Sequence, residues 1–148
     1  MYDPIARAIA LLDAEAPKKG IEIRYDDDDP RRRTYVVPTG GGRTQTVWAT
    51  PIQDPLFRER LDLISISVRN LQADQPLLIG LLAIARDMRR ARLCVFDAQS
   101  PTPHLGVVAS FVPEEIGESN GPRLLHALRE VAAVADAIEA QLIGVDIS

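Results

Sequence analysis

The chain has 148 residues, enough for one domain with a substantial core, and 46% are apolar against 26% charged, as in soluble globular proteins. Its 21 acidic and 17 basic residues leave a net charge of −4, which argues against phosphate-backbone binding as the main activity. One cysteine excludes an intramolecular disulfide and a thiolate metal cluster.

The opening stretch MYDPIARAIALLDAEA has charges and no continuous apolar run, so it does not read as a signal peptide. No other run is long enough to span a bilayer, and a cytoplasmic protein is expected. Asp3 is a good N-cap and Pro4 suits the first helical position. Ile5, Ala8, Ile9, Leu12 and Ala16 then repeat at helical spacing until Pro17.

Residues 21–25 alternate Ile21, Ile23 and Tyr25 against Glu22 and Arg24, as a half-buried strand does. The acidic run 26–29 and basic run 31–33 flank Pro30. Their spacing is not that of a calcium loop, so a solvated turn is expected, with no metal and no cofactor. Residues 34–37 read as a short strand and 44–50 as another. The glycines between them lack the Gly-Lys-Ser/Thr helix start of a phosphate loop and read as a turn.

Trp48, on the second of these strands, is a core anchor or a platform for a partner. Residues 51–60 read as a loop around Phe57, and these two aromatic residues are the candidates for partner binding. Residues 61–69 alternate Ile64, Ile66 and Val68 with Ser65, Ser67 and Arg69, which predicts one buried and one wet face.

Residues 76–92, PLLIGLLAIARDMRRAR, predict a central helix capped by Asp74. Leu77, Leu81, Ile84, Ala85 and Met88 form one stripe. Leu78, Ile79, Leu82 and Ala83 lie round the other side, so two faces are expected to be covered, one by the chain's own sheet and one by another helix of the chain or a second copy of it. The second face is the candidate homodimer interface. Arg89, Arg90 and Arg92 complement the helix dipole at its end. Residues 93–97 and 105–112 predict a hairpin, with Cys94 as an inert core thiol. Residues 113–121 read as a connector. Residues 122–142 predict a last helix with Leu124, Leu125, Leu128, Val131, Ala132, Ala135, Ile138 and Leu142 inward, ended by Gly144.

No catalytic constellation is visible: His104 lies at a turn, and His126 faces away from the last helix's apolar stripe. Counting three of the four candidate strands before the central helix, the order is α-β-β-β-α-β-β-α. That order, the acidity and stretches such as LCVFDA, LGVVASFVPEEI and LLHALREVAAVADAIEAQL resemble the YbjN family and the related type III secretion chaperone fold. The resemblance spans essentially the whole chain, 1–148, as one domain. It implies an α+β protein with a twisted antiparallel sheet packed against helices. It also implies a non-enzymatic, chaperone-like homodimer that holds an extended or flexible segment of a partner protein. The alternative reading is an accessory protein of nucleic-acid-handling machinery, working through the arginine patches at 31–33 and 86–92.

Overall fold

Asp3 starts the first helix as its type and place predict: its Oδ1 accepts from the amides of Ile5 at 3.0 Å and Ala6 at 3.2 Å. Helix α1 (Pro4–Glu15) follows, then a 3₁₀ turn (Ala16–Lys19) closed by Gly20 at φ +72°, where a side chain would be strained. The structure is a computed structural model describing residues 3–25, 29–56, 58–69, 71, 75–118 and 120–143. Asp74 and Gly144 lie outside these residues, as does Asp26 to Asp28 of the acidic run.

The fold is α+β, with helices against an open, six-stranded antiparallel sheet in the order β1-β2-β3-β4-β6-β5. The strands are β1 (Glu22–Arg24), β2 (Arg33–Gly40), β3 (Arg43–Asp54), β4 (Arg58–Val68), β5 (Arg92–Phe96) and β6 (His104–Phe111). Four strands therefore precede the central helix, not three. A short helix α3 (Pro113–Glu118) also occupies part of the predicted connector.

The predicted loop at 51–60 is instead the far end of a long β3–β4 hairpin. Pro51 suggests a break, yet it pairs with Leu61 beyond Ala49↔Arg33, the last rung between β2 and β3. Among the described residues no strand lies on that side, so its missing N–H removes no ladder bond there. The β2–β3 turn is tight, with Gly41 and Gly42 both at positive φ, as glycine readily permits.

One face of the sheet carries the core. Tyr35, Val37, Val47, Ala49, Leu61, Leu63, Val107 and Phe111 are buried there beneath α1 and α4 (Gly121–Ile138). Burial, then the Asp13 carboxylate that accepts its hydroxyl at 2.9 Å, pushes Tyr35 far above its ordinary pKa. Helix α4 presents the predicted stripe from Leu124 to Ile138 to this core and is capped by Asn120, whose Oδ1 accepts from the Arg123 amide. A π-turn (Glu139–Ile143) continues it.

The phase of β4 differs from expectation. Leu61 and Leu63 point to the helices, so alternation turns Ser65 and Ser67 inward and Ile64 and Ile66 outward. Val68 returns to the core only after a register shift between Ile66 and Val68.

Helix α2 (Gln75–Ala85) is shorter than the predicted 76–92. Its inner side, with Leu81 buried and Leu77 and Ile84 half-buried, meets α4 and the π-turn as its main neighbours rather than the sheet. Helix α1 packs on α4 and α3 and leaves the outer side of α2 uncovered. No helix among the described residues is long and apolar enough to cross a membrane.

Candidate functional site: a fork in the sheet

Between β3 and β4 the paired rungs run from Asp54↔Arg58 to Trp48↔Ile64 and stop there, although β3 extends back to Arg43 and β4 onward to Val68. Each arm stays extended because its outer neighbour still holds it. Gln45 pairs with Val37 and Thr46 with Val36 on β2, while Ser65 pairs with Val107 and Ile66 with Gly106 on β6. The sheet thus forks between two ordered arms. A cleft of about 370 Å³ occupies the gap, within the ~300–1,000 Å³ range of ligand pockets. Its walls include Thr46, Trp48 and Ile66 from the helix-free face and Gln45 and Ser67 from the helix side, with Glu139 of the π-turn behind them. Its lining thus comes from both faces of the sheet.

Buried polar groups set its inner end. Ser65 Oγ donates to the Thr46 carbonyl at 2.9 Å and lies 3.3 Å from Gln45 Oε1. Gln45 Nε2 donates to Glu139 Oε2 at 2.9 Å, and Ser67 Oγ to the Ala135 carbonyl at 2.9 Å. Two residues before Gln45, on the same side of β3, Arg43 grips Asp136 through two bonds of 3.0 and 2.9 Å. Residues two apart on the strand thereby meet residues three apart on the helical chain, which locks this arm of the fork onto the end of α4.

Trp48, expected as a partner contact, is 36% exposed on the helix-free face and forms part of the cleft wall. Phe57, its predicted companion, lies outside the described residues. The cleft residues Gln45, Ser67 and Glu139, and Ser65 beside them, carry no motif. Their sequence signal is only the phase of β4, which places two serines where a core face needs partners for buried hydroxyls.

The candidate interface residues Leu78, Ile79, Leu82 and Ala83 are all exposed, the three larger ones at 48%, 61% and 71%. The arginine patches are largely committed. Arg31 pairs with Asp3 and Glu59, and Arg33 with Asp13 and, through its guanidinium face, the Tyr25 ring. Arg89 and Arg90 lie beyond α2, so they do not form its last turn. Arg90 lies over the Phe111 ring and pairs with Glu115, while Glu130 receives the amides of Arg90 and Ala91 at 2.9 and 2.6 Å. Arg92 opens β5 and donates to Ser110 Oγ.

His126 lies on the exposed side of α4, in an open groove with Asp87, Arg89, Arg129 and Glu130, whose carboxylate holds the chain before β5. Cys94 is half-buried on the edge strand β5, not in the core. Among the described residues no group of three or more His, Cys, Asp and Glu side chains is placed to hold a metal. Compared with known proteins, the sequence matches no family model and no curated protein.

Proposed function

We propose that the chain is a cytoplasmic, non-catalytic protein-binding module that acts as a homodimer and holds an extended segment of a partner protein, as its YbjN-like and secretion-chaperone-like features imply. The observation that carries this reading is the outer side of α2. Leu78, Ile79 and Leu82 face solvent on a short helix whose inner side is occupied by α4 and the π-turn. Covering each of them more completely is worth on the order of 1 kcal/mol, and a second copy of the same helix supplies a matching apolar surface.

Sedimentation mass measured beside circular dichroism tests it. Wild-type protein is expected to sediment as a dimer. Leu82→Asp, at a position 71% exposed, gives a folded monomer. Leu81→Asp, at a position 6% exposed, buries an unpaired charge and destabilises the monomer itself. A wild-type monomer at tens of micromolar, or a Leu82→Asp dimer, would sink the α2 interface.

A further inference from the structure

We propose that the fork between β3 and β4 is where the extended segment is held, entering as a short added strand. This rests on the reading of the chain as a holder of extended polypeptide and says where and by what chemistry it holds. The Thr46 carbonyl accepts the Ser65 hydroxyl, so the main-chain polar groups of Thr46 point from β3 towards β4. Strand alternation sends those of Thr44 the same way and those of Gln45 and Val47 towards β2. Past the rung Trp48↔Ile64, no β4 residue pairs with Thr44 or Thr46 among the described residues.

Thr44 and Thr46 therefore present main-chain groups at every second residue, about 7 Å apart along the strand, with the second lone pair of the Thr46 carbonyl left beside the Ser65 hydroxyl. An extended polypeptide repeats its own donors and acceptors at that interval; a sugar or nucleotide does not. Both arms are already fixed, β3 by β2 and β4 by β6, so little ordering of the protein opposes the addition. Trp48 and Ile66 supply apolar walls for the incoming side chains, and the hydroxyls of Thr44 and Ser67 supply polar ones. The cleft of about 370 Å³ is of a size that a few small or β-branched residues would fill.

The test uses the full chain and two blocked peptides, acetyl-Ser-Thr-Val-Thr-Ser-amide and the same peptide N-methylated at each of its five residues. N-methylation deletes the main-chain donors and leaves the side chains intact. Trp48 is the chain's one tryptophan, so its emission reports on the cleft alone. The unmethylated peptide is expected to shift that emission saturably. At about ten times its dissociation constant it should slow amide exchange of Thr44 and Thr46 roughly tenfold, if exchange proceeds through the unbound state. The methylated peptide should do neither.

Equal binding of both peptides overturns strand addition. Protection on the edge strand β5, with Thr44 and Thr46 unchanged, overturns the fork as the site and leaves segment-holding standing. No saturable response to either peptide overturns the fork proposal, and the Leu82→Asp measurement judges the dimer separately.

Discussion

The Ser65 hydroxyl donates to the Thr46 carbonyl at 2.9 Å, just past the last rung between β3 and β4. A side chain thus takes over where the main-chain ladder ends. The donor is buried, and it also lies 3.3 Å from Gln45 Oε1, so this hydroxyl joins the apex of the fork to the polar group that reaches Glu139.

Ser65→Ala removes the donor and leaves the Thr46 carbonyl short of a partner. A loss of about 1–3 kcal/mol is expected. For a chain of 148 residues each kcal/mol lowers the melting temperature by roughly 2–4 °C. Calorimetry that finds the variant melting with wild type would show that water replaces the hydroxyl without penalty.

Gly106 sits on β6 beneath the Phe96 ring. A Cβ there would lie 2.4 Å from Phe96 Cε2 and 3.2 Å from the Ser65 carbonyl oxygen. Gly106→Ala is expected to destabilise by about 1–3 kcal/mol because the ring must move and the β4–β6 rung has little slack. In a Phe96→Ala background most of that loss should disappear, a coupling on the order of 1 kcal/mol in urea-unfolding cycles. Strict additivity of the two changes would place the strain elsewhere.

Glu115 gives a pH signature. Burial acts to raise its pKa, but the Arg90 hydrogen bond, the Val112 amide and the charges of Arg90 and Arg123 outweigh it and hold the carboxyl below its ordinary value. A depressed folded pKa stabilises above the unfolded value, near 4.5, and that stability is lost as pH falls through the folded value. Wild type should therefore exceed Glu115→Gln in stability at pH 7, and the gap should close on acidification below the ordinary glutamate range. The side chain is 38% exposed, so solvent screening keeps the gap small. A gap that is constant with pH would mean the ion pair does not matter to stability.

Much of the fold was legible because local signals and tertiary demands agree. The Asp3 cap, the stripe of α4 and the β5–β6 hairpin all follow from spacing and turn residues. The readings that failed depend on partners far along the chain. Residues 86–90 look helical, but Glu130 captures the amides of Arg90 and Ala91, and Arg90 is drawn over Phe111, so the chain leaves α2 at Ala85. The alternation of Ile and Ser on β4 gives the period and not the phase. The phase follows Leu61 and Leu63, and the buried serines are tolerated only because Thr46 and Ala135 offer carbonyls. The cleft was hidden for the same reason: a ladder's end is a relation between two strands, and Trp48 was its one member marked by residue type.

The strand order also divides the sheet by how far apart its neighbours stand in the chain. Strands β1 to β4 follow one another as a meander, and β5 and β6 form a hairpin, but β6 joins β4 only after the chain has passed through α2 and β5. Among the described residues the β4–β6 seam is the one strand pairing that must close a long loop, so its entropy falls on the folding barrier while the other strands pair locally. Ile64↔Val108 and Ile66↔Gly106 sit on that seam. An emerging chain can assemble the meander before β6 has been synthesised, and until the seam closes the far side of β4 remains an open edge.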